Sequence, residues 1–127
     1  MNNIVKAIKQ GLRLNEPLAS DVIAGSLVLD SDFPGFRGHF PGNPILPGAC
    51  LIEAAVQLIS CGTGKALLLA EVERVKFFSP VKPGEEVKLD FNIEYLPDAI
   101  SAKGTMMSGD RKICTMKLKM TAGCCAG

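Results

Sequence analysis

Residues 48–61 restrict the fold more than any other segment, because their spacing predicts a helix that is apolar on nearly every side. Gly62 and Gly64 follow this segment, and both are expected to end the helix. The apolar positions are Ala49, Leu51, Ile52, Ala54, Ala55, Val56, Leu58 and Ile59. A helix without a polar face must be buried on all sides, and a curved sheet that wraps round it is the simplest way to bury it.

Most of the remaining sequence has the two-residue periodicity of β-strands. The clearest example is residues 87–95, where Val, Leu, Phe, Ile and Tyr alternate with polar residues, so one face is expected to be buried. Other strands are predicted over residues 22–30, 67–78, 100–107 and 114–120, with a turn at Gly109-Asp110. The apolar spacing of residues 4–12 predicts a short amphipathic helix that ends near Gly11. No strand–helix–strand alternation indicates a parallel sheet, so we expect about five antiparallel strands.

The composition is typical of a globular chain with a hydrophobic core. A length of 127 residues suits one domain spanning 1–127, and 47% of the residues are hydrophobic. The net charge of +1, from 14 basic and 13 acidic residues, gives no reason to expect nucleic acid as a partner. No apolar run approaches the roughly 18 residues that a membrane span needs. The N-terminus lacks the apolar core of a signal peptide, so a cytoplasmic location is expected.

The five cysteines do not form a recognisable ligand or disulfide pattern. Their number is odd and no C-x-x-C pair occurs, which argues against both a disulfide framework and a zinc site. Free and mostly buried thiols are expected. A nucleophilic role for Cys50 would require a nearby base, and we consider it a minor alternative.

The only histidine, His39, lies in a loop rich in proline and glycine just before the apolar helix. Gly38 precedes it, and Pro41 and Gly42 are among the five prolines and glycines in the next nine residues. These residues restrict the backbone on both sides of the histidine. A single histidine excludes a multi-histidine metal site within one chain. Two roles remain for His39. It is either an ordinary packed or surface residue, or an acid–base catalyst, since imidazole exchanges protons near neutral pH.

Glu53 is the one carboxylate within the apolar helix. Charged residues are seldom buried unless they are paired or used in function. Gln57 follows four residues later and shares its helix face, so its amide could orient the carboxyl group. A histidine base and a carboxylic acid donor would suit the elimination of water. The alternative is that Glu53 and Gln57 form a solvent-facing stripe.

Gly48 begins the helix, where backbone N–H groups lack intrahelical acceptors and the helix dipole is positive. A thioester carbonyl bound there would be stabilised as it gains enolate character. A side chain at this position would crowd such a ligand. A glycine that starts the helix without any ligand is equally compatible with the sequence.

Three sequence elements, which cover about half the chain, resemble the 3-hydroxyacyl-ACP dehydratases of type II fatty-acid synthesis, the FabZ/FabA-like group of the hotdog fold. The histidine loop is His39-Phe40-Pro41-Gly42-x-Pro44-x-x-Pro47-Gly48, and the acidic helix motif is Glu53-Ala54-x-x-Gln57 at the family's spacing. The third element is Ala70-x-Val72-x-x-Val75-Lys76-Phe77-x-x-Pro80-Val81-x-Pro83-Gly84, similar to the family's next strand and turn. The first two together are highly specific.

The resemblance implies an α+β hotdog fold in which a curved antiparallel sheet of five or six strands wraps round the long central helix. It also implies a double-hotdog dimer that joins two sheets edge to edge, and some family members form trimers of dimers. The family substrate is a 3-hydroxyacyl thioester on acyl carrier protein, the product is the trans-2-enoyl thioester, and no metal or organic cofactor is needed.

The resemblance also implies roles for four residues at the dimer interface. His39 of one subunit would remove the proton at C2, and Glu53 of the other would protonate the departing C3 hydroxyl. Gln57 would orient Glu53, and the Gly48 N–H would bind the thioester carbonyl. Glutamate rather than aspartate at position 53 resembles the branch that dehydrates without isomerising the double bond.

Two other functions of the same fold are alternatives. A hotdog thioesterase would share the acyl-thioester substrate and a helix carboxylate, although the His39 loop argues against it. A non-catalytic acyl-binding subunit is the other alternative. Residues 15–21 depart from the family pattern in a segment that shapes the acyl tunnel, so the acyl chain length and the carrier stay open. A specialised lipid, polyene or polyketide pathway is an alternative to fatty-acid synthesis.

Overall fold

The computed structural model of the protein describes residues 3–15, 21–36 and 46–123. In these residues a six-stranded sheet packs on one face against helices. The elements in chain order are α1 (Asn3–Gly11), β1 (Leu12–Leu14), β2 (Val22–Val28), a 3₁₀ turn (Pro34–Phe36), α2 (Gly48–Thr63), β3 (Leu67–Phe77), β4 (Glu86–Tyr95), β5 (Ile100–Ser108) and β6 (Arg111–Ala122).

The sheet has the strand order β1-β2-β4-β5-β6-β3, and every neighbouring pair is antiparallel. Antiparallel pairing is therefore confirmed. Both predicted helices are also present, and α1 ends at Gly11 as expected. The turn at Gly109-Asp110 joins β5 to β6 as predicted, with Gly109 at a φ of 60°. The three-residue strand β1 was not predicted, because it directly follows α1 and Leu12 continues the helical spacing of that helix.

The core lies between α2 and one face of the sheet. In β4 the buried and exposed residues alternate from Glu86 to Glu94, as the periodicity predicts. Tyr95, expected on the buried face, is instead 50% exposed at the end of the strand. The buried side chains of the sheet include Val87, Leu89, Phe91, Ile93, Met106, Cys114, Leu118 and Met120. Those of α2 are Cys50, Leu51, Ala54, Ala55, Val56, Leu58 and Ile59.

Two expectations for α2 are wrong. Gly62 does not end the helix, which continues to Thr63; a Cβ at Gly62 would lie 2.9 Å from the Ile23 side chain, so this glycine allows close packing inside the helix. Gly64 does end it, with a φ of 70°, and its N–H donates to the Cys61 carbonyl. The helix is also not buried on all sides within one chain, because Ala49 is exposed and neighbouring positions are only half-buried.

Strand β3 is a long edge strand with little cover. Of its eleven residues only Leu67 is buried, although it carries several large apolar side chains. Leu68 is 58% exposed, Leu69 41% and Val72 39%. Apolar residues exposed along a free strand edge are unusual in a monomer, because such an edge can pair with another chain.

Candidate active site

Glu53 and Gln57 form the polar pair that their spacing predicts. The Gln57 Nε2 group donates a hydrogen bond of 2.6 Å to Glu53 Oε2, and both side chains are half-buried. The amide therefore fixes the orientation of the carboxyl group on one face of α2. The face that carries this pair is partly open to solvent in the single chain and lines a cavity.

The cavity beside Glu53 lies between α1, α2 and the beginning of β3, and it has a volume of about 480 Å³. This volume is within the range of small-molecule sites. Its walls are apolar apart from Glu53 and Gln57, and they comprise Val5, Ala49, Ile52, Val56, Leu67, Leu68 and Leu69. The arrangement can accept an apolar chain and present one oriented carboxyl group to it. The sequence did not indicate Val5 or the β3 residues as walls, because their proximity is set only by the tertiary fold.

The N-terminus of α2 is fixed by backbone contacts instead of a side-chain cap. Pro47 is the N-cap residue, with extended backbone and no side-chain hydrogen bond to the helix. The Cys50 N–H donates to the Pro47 carbonyl at 3.0 Å. The Leu46 N–H donates to the carbonyl of the buried Val81 at 2.9 Å, which ties the entry of the helix to the turn after β3. This helix end has the positive dipole that a developing anion requires.

Gly48 packs directly against the ring of Phe77, the last residue of β3. A Cβ at position 48 would lie 2.6 Å from Phe77 Cζ, which is shorter than any normal contact. The glycine therefore has a packing role within the chain, in addition to any contact with a ligand. The Phe77 ring is 48% exposed and covers one side of the helix N-terminus. The spacing of the sequence could not indicate this contact, because the two residues lie 29 positions apart.

The turn that contacts the start of α2 is fixed by an ionic cluster. Glu85 pairs with Arg111 and accepts hydrogen bonds from Ser108 Oγ at 3.0 Å and the Lys82 N–H at 3.1 Å. Arg111 Nη2 also donates to the Pro80 carbonyl at 3.1 Å. Burial alone would raise the pKa of Glu85, but these hydrogen bonds and the Arg111 charge outweigh it and lower the pKa.

Cys50 lacks the environment of a nucleophile. It is buried one turn before Glu53, and burial, together with the Glu53 charge, raises the pKa of its thiol. A thiol with a raised pKa stays protonated at neutral pH and reacts slowly. Burial likewise raises the pKa of Cys114 to about 11. Cys61 is exposed, and all three are free thiols.

His39 lies outside the described residues, as does most of its loop. Its role stays a prediction from the sequence. Within the described residues no group of histidine, cysteine and acidic side chains could bind a metal ion. In the same part of the chain, neither helix has the length and apolar character needed to cross a bilayer.

Comparison with known proteins defines the class as a dehydratase of the hotdog fold. A family model described as ApeI dehydratase matches residues 16–116. A curated 3-hydroxyacyl-[acyl-carrier-protein] dehydratase FabZ from Pediococcus pentosaceus is 32% identical over 116 residues, covering 85% of this chain and 76% of its own. The FabZ of Lactiplantibacillus plantarum is 31% identical over 115 residues, covering 84% of this chain and 77% of its own.

Solved structures confirm the fold. The dehydratase heterocomplex ApeI:P from Xenorhabdus doucetiae matches with a TM-score of 0.70 and 26% identity, covering 84% of this chain and 92% of its own. A hypothetical thioesterase with coenzyme A from Streptococcus pneumoniae matches with a TM-score of 0.70, covering 94% of this chain and 90% of its own. Its identity of only 10% means that this match shows the fold alone. The chain therefore belongs to the ApeI-like dehydratase family, and it is a lyase related to the FabZ enzymes of fatty-acid synthesis.

Proposed function

We propose that this protein is a 3-hydroxyacyl-[acyl-carrier-protein] dehydratase that converts a 3-hydroxyacyl thioester into the trans-2-enoyl thioester. The observation that carries the proposal is the Glu53 carboxyl group, oriented by Gln57 and facing an apolar cavity of about 480 Å³. A dehydratase needs one oriented acid beside a space for an acyl chain. The names of the FabZ relatives supply the substrate class.

The proposed chemistry uses a base and an acid in one elimination. His39 takes the proton from C2, and the electrons of that bond form the new double bond between C2 and C3. The C3–O bond breaks, and the departing oxygen takes a proton from Glu53 and leaves as water. Gln57 positions the Glu53 carboxyl group. The Gly48 N–H, at the positive end of α2, donates a hydrogen bond to the thioester oxygen and stabilises the negative charge that grows there. The reaction needs no metal or organic cofactor.

We propose that the active form is a homodimer, because the exposed edge strand β3 borders the site at both of its ends. The cavity beside Glu53 is bordered by Leu67 and the next two residues, where β3 begins. Gly48 packs on Phe77, where β3 ends. Antiparallel pairing of two β3 strands would bring the beginning of each next to the end of the other. The Glu53 cavity of one subunit would then adjoin the α2 N-terminus of its partner, the helix that His39 precedes in the sequence.

Further features of the proposal follow from the family. Residues 1–127 would act as one hotdog domain, and the dimers could assemble further as a trimer of dimers. Acyl carrier protein would deliver the chain to the apolar cavity. The pathway is either fatty-acid synthesis or a specialised lipid or polyketide route, and the ApeI:P neighbour is described as a dehydratase heterocomplex.

The test is a panel of 3-hydroxyacyl groups of increasing length on acyl carrier protein, analysed by mass spectrometry. The proposal predicts loss of water at one or more chain lengths and formation of the enoyl thioester. Release of free carrier thiol without an enoyl product would instead show a thioesterase. Binding without turnover at every length would show an acyl-binding subunit, and either result would overturn the proposal.

A further inference from the structure

The apolar side chains of α1 have two different surroundings. Ile8 is completely buried in the hydrophobic core, and Ile4 and Ala7 pack against that core from partly buried positions. Val5 is half-buried and lines the cavity beside Glu53. Residues three apart on a helix are neighbours on its surface, so the burial of Ile8 in the core presents Val5 to the cavity.

Helix α1 is held firmly against the rest of the chain at its C-terminal end. A Cβ at Gly11, the last residue of the helix, would collide with the Val28 carbonyl oxygen and lie 2.9 Å from Leu29 Cδ2. The end of the helix therefore packs directly on the backbone at the end of β2. Val5 lies six residues earlier, about 9 Å along the helix axis. Its side chain is thus carried by a fixed support.

The cavity beside Glu53 follows α2 for about two turns. The residues of this helix that line it share one face and are Ala49, Ile52, Glu53, Val56 and Gln57. From the first to the last of them the helix rises by about 12 Å. The cavity is therefore elongated along α2, with the Glu53 carboxyl group near the middle of that wall. An extended acyl chain would fit along the same direction.

We propose that Val5 is a specificity-determining residue that limits the length of the acyl chain. This inference rests on the proposed function and specifies its substrate. The carbons beyond C3 lie along α2, and the terminal methyl group of the longest accepted chain ends against Val5. A limit of this kind is sharp when the wall is fixed, because one methylene group too many in an apolar pocket changes kcat/KM by about 10–200-fold.

The other walls of the cavity have different roles. Glu53 and Gln57 are the acid and its orienting amide, so they face the reacting carbons and not the end of the chain. Leu68 and Leu69 belong to the edge strand and are 58% and 41% exposed, so they border the open side of the cavity. The closed end is therefore formed by α1, through Val5.

A change in the size of residue 5 tests the limit. With 3-hydroxyacyl groups on acyl carrier protein, Val5→Ala should raise kcat/KM at least about tenfold for the first chain that wild type rejects. Val5→Phe, or Val5→Leu if the larger ring prevents folding, should shorten the longest accepted chain. The readout is the ratio of kcat/KM between chain lengths, since a loss of folded protein lowers all lengths equally. Lys6→Ala, an exposed neighbour on α1, is the matched control and should keep the wild-type ratios.

Binding without chemistry gives an independent readout. Saturated acyl-pantetheine thioesters cannot lose water, so calorimetry with a series of chain lengths measures the cavity alone. Affinity should increase with length up to a limit and fall beyond it, and Val5→Ala should move that limit to a longer chain. A limit that no variant of Val5 moves, an equal shift in Lys6→Ala, or no binding at any length overturns the inference. A limit that moves as expected, without loss of water from any 3-hydroxyacyl substrate, supports the inference and overturns the proposed function.

Discussion

The ring of Phe77 occupies the space that a side chain at Gly48 would need, with its Cζ atom 2.6 Å from the Cβ position. Gly48→Ala should therefore lower the free energy of unfolding by about 1 kcal/mol, at the low end for overpacking, because the half-exposed ring can turn toward solvent. Denaturant unfolding measures the change. The double variant Gly48→Ala/Phe77→Ala, compared with Phe77→Ala alone, should show no further loss.

The same pair of variants separates packing from catalysis. A methyl group at position 48 keeps the backbone N–H but crowds a thioester bound at the helix N-terminus. We expect Gly48→Ala/Phe77→Ala to have much lower dehydratase activity than Phe77→Ala. Equal activity of these two variants would show that the glycine serves packing alone and that no ligand approaches it.

Replacement of Glu53 tests the proposed acid. Glu53→Gln should lower kcat at least about a hundredfold, the loss expected when a general acid is removed. The fold should be retained, because the side chain is half-buried and glutamine has the same shape. Gln57→Leu should cause a smaller loss, about tenfold, because the carboxyl group remains but loses its 2.6 Å hydrogen bond. Steady-state kinetics on a 3-hydroxyacyl-carrier substrate measures both, with Glu94→Gln as the control that should have normal activity.

The cysteines should differ in reactivity toward a thiol reagent. In a variant with Cys124 and Cys125 replaced by Ser, Ellman's reagent should modify Cys61 within the native protein, because this residue is exposed. Cys50 and Cys114 should react only after unfolding, since both are buried and their thiol pKa values are raised. Rapid modification of native Cys50 would contradict the structure.

The Glu85–Arg111 cluster should make stability depend on pH in the acidic range. The pKa of Glu85 is lower in the folded than in the unfolded chain, so its contribution is complete above the unfolded value of about 4.3 and is lost as the pH falls through the folded value. Glu85→Gln should therefore melt at a lower temperature than wild type at pH 7. The difference should shrink below about pH 4. A difference independent of pH would show that the ionised cluster does not stabilise the turn.

Local periodicity was enough to predict most of the fold. The alternation in β4 and the apolar positions of α2 are imposed by burial, so they are visible in the sequence. Gly62 was misjudged because a glycine near the end of a helix can either stop it or allow close packing. Only the distance to Ile23 distinguishes the two. Strand β1 is too short for any period to be recognised.

Local spacing also placed the Glu53–Gln57 pair, because residues four apart on a helix share a face. The remaining parts of the site come from distant segments. Phe77 against Gly48, and Leu67 to Leu69 beside Glu53, meet only through the packing of β3 on α2. The exposure of β3, which suggests a second chain, is a property of its place at the sheet edge and has no signature in its sequence.

A mixing experiment tests most directly whether two chains share each site. His39→Ala and Glu53→Gln should each be inactive alone. When the two variants are co-expressed, about half of the dimers should be mixed and each should have one intact site, so the preparation should recover about a quarter of wild-type activity. Native mass spectrometry verifies that mixed dimers are present. If mixed dimers form and activity stays absent, His39 and Glu53 do not meet across the dimer interface.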